Sequence, residues 1–257
     1  MIRILCLGDV VGEEGTAAIE KSLPGLIRET RADLTIVNGE NSADGNGISK
    51  NSAERIYDAG ADVITGGNHT FRRREIYTAL DDEEYLIRPA NYPAEAPGMG
   101  YVIADVNGYR VLVINVLGCV YMDPMTPPHE TIEKILRAEK GRYDLSVCDV
   151  HGEATSEKLF LGRYFDGRLS VVFGTHTHVA TADCQILPGG TGYITDLGMC
   201  GSHNGILGVK TQSIVHKFTV KTPVLFEPAS ENVKLNGALF ELDEKTGKCI
   251  GAHRVEK

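Results

Sequence analysis

The chain repeatedly places a short apolar run directly before a cluster of carboxylate, amide or imidazole side chains. The runs Ile2 to Leu7, Asp33 to Asn38 and Ala61 to Thr65 are predicted strands, and they end in the sequences GDVVG, GEN and GGNH. Strands that alternate with helical segments predict a sheet covered by helices, and such sheets bind ligands beyond the carboxyl ends of their strands. This pattern therefore limits the fold to an α/β class with polar groups gathered at one sheet edge.

Two later strands also end in histidines. Leu145 to Val150 leads into His151, and Leu169 to Phe173 leads into the sequence GTHTH. In an extended segment alternate side chains share a face, so His176 and His178 are predicted to present ring nitrogens to one metal ion or to two adjacent ions. An isolated pair of this kind is equally well explained as two polar loop histidines.

The middle and the end of the chain predict antiparallel strands. Tyr101 to Asp105 and Tyr109 to Val116 flank an Asn-Gly pair, which is a strong signal for a two-residue hairpin turn. Lys234 to Leu242 and Lys248 to Val255 predict a second hairpin at a solvent-facing edge, because charged residues lie on both sides. The sequence contains no evident repeat or linker, and we therefore predict a single domain over residues 1–257.

Three segments have more than one interpretation. The basic triplet Arg72, Arg73 and Arg74 is predicted to begin a helix; it is typical of a solvated face, but it could also grip a substrate phosphate. The Pro-rich loop at residues 123–128 has the length of a flap, although nothing in its sequence indicates one. His203 lies in a Gly-rich run that is predicted to be loop, where it could line a pocket or belong to an ordinary surface loop.

Composition argues against several classes of partner. A formal charge of -9 argues against a surface that binds a nucleic-acid duplex stably, because neutralising phosphates needs clustered Lys and Arg. The six cysteines have no CxxC spacing and mostly lie in apolar runs, which is typical of reduced thiols in a cytosolic protein. The apolar run at the start is too short for a signal peptide, and no segment has membrane-spanning length. We therefore predict a cytoplasmic protein that does not bind membranes.

Eight polar side chains follow predicted strands and could form one site. They are Asp9, Glu40, Asn41, Asn68, His69, His151, His176 and His178. Each has an ordinary structural explanation when it is taken alone, since Asp caps helices and Asn is common in turns. Their recurrence at so many strand ends favours a metal site over a set of separate structural roles.

The order of these motifs resembles the calcineurin-like metallophosphoesterase superfamily. More narrowly, GDVVG, NGEN, GGNH, DVHGE, GTHTH and ITDLGM are similar to the motifs of the YmdB-type bacterial phosphodiesterases, and the similarity extends over nearly the whole chain. The resemblance implies a four-layer α/β/β/α sandwich with mixed sheets and a dinuclear metal centre at the strand ends. It also suggests a homo-oligomer.

The resemblance further implies a role for each strand-end residue. One metal ion would be held by Asp9, Glu40, Asn41 and His178, and the other by Glu40, Asn68, His151 and His176. Glu40 would bridge the two ions, which in such centres lie about 3.5 to 4 Å apart. Oxygen and imidazole donors without thiolate suit two divalent or trivalent transition-metal ions, most readily Fe or Mn, with Zn as a further candidate. His69 is expected to bind no metal and to donate a proton to the leaving alkoxide.

The sequence departs from the broader superfamily in three places. Asp9 is followed by Val-Val, so the histidine of the usual DxH motif is absent, and Asn41 is expected to replace it. Glu40 stands where Asp is commoner, and Thr70 follows GNH in place of an acid. These departures match the narrower family and argue against transferring phosphoprotein phosphatase activity to this chain.

The activity that the resemblance implies is hydrolysis of 2′,3′-cyclic nucleotides, in which a metal-bound hydroxide opens the ring and His69 protonates the ribose oxygen. Two alternatives stay open: a phosphomonoesterase of broader specificity, and a regulatory protein that binds a nucleotide with little turnover. A third alternative, an amidohydrolase-type enzyme, depends on the HxH pair alone, and the late position of that pair in the chain counts against it.

Overall fold

The computed structural model describes residues 1–257. Its strands are β1 (Ile2–Leu7), β2 (Asp9–Val10), β3 (Leu34–Asn38), β4 (Val63–Thr65), β5 (Leu86–Ile87), β6 (Tyr101–Val106), β7 (Tyr109–Leu117), β8 (Leu145–His151), β9 (Val171–Thr175), β10 (Gln185–Ile186), β11 (Gly192–Ile194), β12 (Met199–Ser202), β13 (Val233–Lys234), β14 (Asn236–Leu242) and β15 (Cys249–Glu256). Its helices are α1 (Gly12–Thr30), α2 (Lys50–Asp58), α3 (Ile76–Asp82), α4 (Pro128–Ala138), α5 (Thr155–Tyr164) and α6 (Thr211–Thr219), and a 3₁₀ turn covers Thr70–Arg72.

The strands form two large mixed sheets and one small sheet. The first large sheet has the order β15-β14-β1-β3-β4-β5, and the second has the order β10-β11-β9-β8-β7-β6. In both sheets the central strands are parallel. The first sheet has an antiparallel hairpin at the β15 edge and the parallel strand β5 at the other, whereas the second sheet has an antiparallel hairpin at each edge. The small sheet, β13-β12-β2, pairs Met199 with Asp9 in parallel. This pairing joins a late segment of the chain to the first polar cluster.

Three apolar clusters separate four layers of structure. Because alternate residues of a strand point to opposite faces, Ile4 belongs to the cluster between the two large sheets, whereas Leu5 belongs to the cluster under helices α1, α2 and α3. A third cluster, which includes Val116, packs α4 and α5 on the outer face of the second sheet. The predicted four-layer α/β/β/α sandwich with mixed sheets is confirmed. Two open sheets also count against the amidohydrolase alternative, which calls for a barrel.

Helix α2 shows how local sequence fixes an element beside the strand ends. Ser49 caps the helix: its Oγ accepts a hydrogen bond from Ser52 N at 3.0 Å, and Ser52 Oγ accepts one from Ser49 N at 3.0 Å. Arg55 forms ion pairs with Glu13 and Glu20 of α1 at 2.7 and 2.6 Å. The cap and the ion pairs together hold α2 against α1 at the end of the loop that follows β3.

The sequence predicted a helix from the arginine triplet to about Leu80; the helix is present, but its predicted start is wrong. Residues Thr70–Arg72 form a 3₁₀ turn, and α3 begins only at Ile76. Arg73 is extended, with φ of -111° and ψ of 118°, because its guanidinium reaches away from the chain to Asp44 at 2.9 Å and to the carbonyl of Ala43 at 3.2 Å. A long-range contact therefore overrides the local helical tendency.

The prediction that the Gly-rich run after β11 is loop is also wrong in part. The run contains the buried strand β12, whose partners β2 and β13 are distant in sequence. The strand is short and includes Gly201, so no alternation of side chains is visible in the sequence. Helix α6 has no counterpart among the elements predicted from the sequence, and none of its residues is buried.

Both predicted hairpins are confirmed. In the β6–β7 hairpin, Asn107 and Gly108 have φ of 54° and 84°, the left-handed conformation that such turns need. Strands β14 and β15 form the other hairpin at the edge of the first sheet. None of the helices is long and apolar enough to cross a lipid bilayer. The cytoplasmic location expected from the sequence stays a prediction.

Candidate metal centre

The carboxyl ends of parallel strands in both large sheets converge on one group of polar side chains. The eight residues selected from the sequence lie just after β1, β3 and β4, at the end of β8, and after β9: Asp9, Glu40 and Asn41, Asn68 and His69, His151, and His176 and His178. All eight are linked to one another by the contacts described below. The sequence therefore selected a set of residues that the fold brings together.

Three side chains converge on the imidazole of His151. Its Nε2 lies 3.2 Å from Glu40 Oε2, 3.0 Å from Asn68 Oδ1 and 3.1 Å from His176 Nδ1. The ligand atoms of Glu40, His151 and His176 all lie within 4.8 Å of one another. Carboxylate, amide and imidazole donors at this spacing suit a transition-metal ion.

A second group of donors surrounds Asp9. Its Oδ1 is buried and has no hydrogen-bond partner, whereas Oδ2 accepts the backbone N–H of His176 at 3.0 Å. His178 Nε2 lies 4.0 Å from Asp9 Oδ1 and 3.3 Å from Asn41 Nδ2. Asn41 Nδ2 also donates to Glu40 Oε1 at 2.9 Å, so Glu40 contacts both groups of donors. A buried carboxylate oxygen without a partner is costly, and a bound cation would satisfy it.

The turn after β9 separates the two histidines of the GTHTH motif. His176 has a φ of 95° and His178 a φ of 62°, so the segment is not extended. The prediction that both side chains share one face of an extended segment is therefore wrong. His176 reaches His151 and His178 reaches the Asp9 group, which places the two imidazoles in different groups of donors.

Gly67 allows the backbone to pass directly against this cluster. A Cβ atom at this position would overlap Glu40 Oε2 and His151 Nε2. Only glycine leaves these two atoms in place, and the adjacent Asn68 then reaches His151. The second glycine of GGNH is thus explained by the close approach of the chain to the site.

His69 lies on the solvent side of the cluster. Its side chain is 29% exposed, whereas that of Glu40 is 1% exposed. Its Nδ1 lies 2.7 Å from Asn41 Oδ1 and 3.3 Å from Glu40 Oε1, and its backbone N–H donates to Glu40 Oε2 at 2.9 Å. These contacts occupy Nδ1 and leave Nε2 for a molecule that enters from solvent.

The buried carboxylates favour positive charge at the cluster. Burial lowers the pKa of His151, but the carboxylates of Glu40, Asp9 and Asp149 together outweigh this effect and raise it to about 9. Burial and the neighbouring His151 charge lower the pKa of His176 to about 3. Burial also opposes ionisation of Glu40, yet the charge and hydrogen bond of His151 hold the pKa of that carboxyl well below its usual value. The negative charge of the buried carboxylates would also stabilise bound cations.

The donor set therefore fits metal ions. The side chains that could hold them are Asp9, Glu40, Asn41, Asn68, His151, His176 and His178. They comprise carboxylates, amides and imidazoles, without thiolate. Asn41 presents Nδ2 to Glu40 and His178. The NH₂ and C=O ends of an amide have nearly the same shape, so rotating the group by 180° would present Oδ1 to these residues instead.

Asp149 lies behind His151 and is not among the residues selected from the sequence. It is buried in β8, two residues before His151. Its carboxylate accepts hydrogen bonds from Thr65 Oγ1 at 2.6 Å, Thr175 Oγ1 at 2.7 Å and Asn38 Nδ2 at 3.0 Å. Burial raises its pKa to about 6. The sequence signal that could have identified Asp149 is an acid inside an apolar strand, on the same face of the strand as the candidate ligand His151.

Thr175 connects Asp149 to His151. Its hydroxyl donates to Asp149 Oδ1 at 2.7 Å and lies 2.9 Å from His151 Nδ1. Because the single hydroxyl proton is used toward Asp149, the hydroxyl oxygen accepts the Nδ1–H of His151. In the neutral form of His151, which a metal ligand requires, this arrangement would leave the lone pair on Nε2, which faces Glu40 and Asn68.

The other segments singled out from the sequence lie outside this network of contacts. Arg72 and Arg74 are exposed, and His203 Nε2 lies 3.0 Å from Asn236 Nδ2 at the start of β14. In the loop at residues 123–128, the carbonyl of Thr126 accepts a hydrogen bond from Asn91 Nδ2 at 3.1 Å. A flap role for this loop and a phosphate-gripping role for the arginines stay predictions.

Comparison with known sequences gives matches along the full chain. The family described as YmdB-like protein matches residues 5–255. A Bacillus subtilis (strain 168) protein named 2′,3′-cyclic-nucleotide 2′-phosphodiesterase is 41% identical over 254 residues, which cover 99% of this chain and 96% of that protein.

Two solved structures have the same fold. A hypothetical protein from Thermus thermophilus is 37% identical with a TM-score of 0.93, and the match covers 100% of this chain and 99% of that one. A structure described as a novel phosphatase from Mycoplasma pneumoniae is 34% identical with a TM-score of 0.94, over 100% and 93% of the two chains. The family expected from the motifs is thereby confirmed, and this chain belongs to the YmdB-like protein family.

Proposed function

We propose that this chain is a metal-dependent phosphodiesterase that hydrolyses 2′,3′-cyclic nucleotides. Its broader class, a phosphoric-ester hydrolase, follows from relatives described as a phosphodiesterase and a phosphatase. The observation that carries the proposal is the buried donor cluster, in which Asp9 Oδ1 has no protein partner and Glu40 contacts both groups of donors. The choice of a cyclic ribose diester is supported by the name of the Bacillus subtilis relative.

We propose that the cluster holds two transition-metal ions, most readily Fe or Mn, with Zn as a further candidate. Asp9, Asn41 and His178 would hold one ion, Asn68, His151 and His176 would hold the other, and Glu40 would contact both. Bound ions would polarise the phosphoryl oxygens and offset the charge that develops during in-line displacement. Elemental analysis of the purified protein should give two metal equivalents per chain; a single equivalent in metal-replete protein contradicts this assignment.

His69 is the proposed proton donor to the leaving ribose oxygen. If the Asn41 amide is turned so that Oδ1 faces Glu40 and His178, its Nδ2 donates to His69 Nδ1, which lies 2.7 Å from the amide. The proton of the neutral imidazole then sits on Nε2, the nitrogen left for a bound substrate. Orientation of one amide would thus supply a metal ligand and select the His69 tautomer needed for general acid catalysis.

Parallel assays of 2′,3′-cyclic nucleotides and simple phosphate monoesters test the proposed substrate class. We expect higher kcat/KM for the cyclic diesters, with a nucleoside monophosphate as a stable product. The alternative phosphomonoesterase is favoured by the Mycoplasma pneumoniae relative described as a phosphatase, and a preference for monoesters would establish it. Tight nucleotide binding by metal-replete protein without turnover would instead favour the regulatory alternative.

Replacing Thr175 by valine should weaken metal binding by about 10- to 100-fold, because the valine cannot accept the Nδ1–H of His151. Thr175→Ser keeps the hydroxyl and serves as the matched control. Metal affinity is measured by competition with a chelator of known affinity. Equal affinity in the valine and serine variants would contradict the role assigned to the hydroxyl.

We also propose a homo-oligomer that forms through an arm comprising residues 206–226. Phe218 and Leu225 of this arm are 69% and 80% exposed, and helix α6 within it has no buried residue. Exposed apolar patches of this kind mark interaction surfaces. The arm contains three lysines and no acid, although Lys210 pairs with Glu227 just beyond the arm; with -9 for the whole chain, this leaves -12 on the other residues. The charges of the arm and the body therefore suit contact between copies.

Replacing Phe218 by glutamate should shift the protein to a smaller assembly, because the change puts a charge into the proposed contact. Size-exclusion chromatography with light scattering measures the mass. Tyr85→Glu provides a control at an exposed aromatic residue outside the arm. A monomeric unmodified protein, or an unchanged mass for Phe218→Glu, would contradict the proposed interface.

We also propose that residues 1–257 fold as the single domain predicted from the sequence. In support, the apolar cluster between the large sheets draws on both ends of the sequence, from Ile2 to Cys249. One cooperative unfolding transition is expected in calorimetry, and two separate transitions would argue for two domains.

A further inference from the structure

We propose that the buried ion pair between Lys158 and Asp196 positions the turn that carries His176 and His178, and that it thereby sets the affinity of the site for metal ions. This inference rests on the proposed role of the two histidines as metal ligands. It assigns a function to two charged residues that do not belong to the donor set.

The pair is enclosed by protein on all sides. The side chains of Lys158, on α5, and Asp196, two residues after β11, are 1% and 0% exposed, and Nζ lies 2.7 Å from Oδ2. Moving two charges out of water carries a desolvation cost that their mutual attraction often fails to exceed, so a buried ion pair is weak evidence for stability. A positioning role gives a reason for charges at this depth.

Hydrogen bonds attach the pair to the turn on both sides of His176. Lys158 Nζ donates to the carbonyl of Thr175 at 2.7 Å. Asp196 Oδ2 accepts the backbone N–H of Thr177 at 3.1 Å and its hydroxyl at 2.8 Å. Thr177 lies between the two histidines, so these bonds fix the backbone from which both imidazoles project.

The turn has a conformation that needs such support. The φ values of 95° at His176 and 62° at His178 lie in a region that residues with a Cβ rarely adopt. Conformations of this kind persist only where surrounding contacts over-determine them. The bonds from Lys158 and Asp196 act at the residues that flank His176.

The same carboxylate is also linked to the strand that carries Asp9. Asp196 Oδ1 accepts the N–H of Gly198 at 2.8 Å, and the carbonyl of Gly198 accepts the N–H of Asp9 at 3.2 Å. Both oxygens of Asp196 are therefore engaged by protein donors. Because both of its oxygens are engaged in this way, Asp196 can position the candidate ligands without itself binding a metal ion.

Gly174 provides an independent observation. A Cβ atom at this position would lie 2.7 Å from Lys158 Cδ and would overlap the carbonyl of Thr195. The first residue of GTHTH must be a glycine mainly because the backbone carbonyl of Thr195, the residue before Asp196, approaches it, and the aliphatic part of Lys158 also passes against it. The motif combines two candidate ligands with the space needed for the lysine that holds them.

The inference is tested by removing both charges together in the double variant Lys158→Met/Asp196→Asn, which leaves no unpaired charge in the core. Thr177→Val removes only the hydroxyl bond, and Thr177→Ser retains it. Affinity for Mn²⁺ is measured by chelator competition, and circular dichroism and Tm are recorded on metal-free protein. We expect the double variant to lose about 10- to 100-fold in affinity with an unchanged circular dichroism spectrum, Thr177→Val to lose less, and Thr177→Ser to match the unmodified protein.

The control is a matched double variant of a surface ion pair, Arg168→Met/Glu133→Gln, whose partners lie 2.8 Å apart on the outer layer. It should keep full metal affinity. If His176→Ala weakens Mn²⁺ binding while the buried-pair variant changes only Tm, the positioning inference is overturned and the metal assignment stands. If His176→Ala has no effect either, the metal assignment itself fails. Should the double variant not fold, equal affinities of Thr177→Val and Thr177→Ser would overturn the inference.

Discussion

Replacing His69 by alanine should remove most turnover of a 2′,3′-cyclic nucleotide while the metal content of the protein stays unchanged. A positioned general acid contributes about 10²- to 10⁴-fold to a rate, and kcat should decrease by a factor in that range. Metal is retained because His69 contacts Asn41 and Glu40 from the solvent side and lies outside the proposed donor set. Steady-state kinetics and elemental analysis on one preparation measure both effects.

The identity of the leaving group provides an internal control for His69. A p-nitrophenyl diester releases an anion that needs no proton, so the His69→Ala variant should hydrolyse it with a much smaller loss. His129→Ala, a change at a histidine that packs against Phe160 and Tyr164 on the outer layer, should keep normal activity. Loss of bound metal from His69→Ala would show that this residue is a ligand and not a proton donor.

Replacing Glu40 by glutamine should abolish turnover. It should also lower the metal content more than replacing a donor that belongs to only one of the two groups. The carboxylate contacts Asn41 through Oε1 and His151 through Oε2, so its loss affects both groups of donors. Glutamine has nearly the same volume, and a change in folding is therefore not expected. Elemental analysis and cyclic-nucleotide hydrolysis measure the outcome.

Two comparisons test the bridging role of Glu40. Glu241→Gln, at a carboxylate that pairs with Arg3 far from the site, should retain both metals and full turnover. His176→Ala and His178→Ala should each weaken a different metal position, because the two imidazoles lie in different groups of donors. A Glu40→Gln protein with two tightly bound metals would contradict the proposed bridge.

The donor set was predictable from sequence because its members depend on local rules. Each candidate ligand follows a short apolar strand, and parallel strands bring their carboxyl ends to the same edge of a sheet. Alternating strand and helix patterns and the Asn-Gly hairpin are local signals that predicted a helix-covered sheet with antiparallel strands, whereas the four-layer arrangement was implied only by the family resemblance. The order of the sequence motifs along the chain then indicated the protein family.

The features that escaped prediction depend on contacts between distant segments. The left-handed backbone at His176 is held by Lys158 and Asp196, which lie 18 and 20 residues away along the chain. The extended conformation of Arg73 depends on Asp44, and strand β12 depends on β2. No periodicity within a single segment reports such pairings, and helix α6 lacks the buried face that periodicity detects.

The pairing of β1 with β14, described above as part of the first sheet, has a consequence for biosynthesis. A ribosome makes β1 long before β14, and the β2 segment that carries Asp9 must likewise await β12. The edge of nascent β1 that later pairs with β14 therefore stays open until β14 has been made, and an open edge is a template for pairing with other chains. Such long-range pairing also slows folding. Asp9, one of the candidate donors, therefore gains the strand that pairs with it only after synthesis has passed Ser202, although every other candidate donor is made earlier.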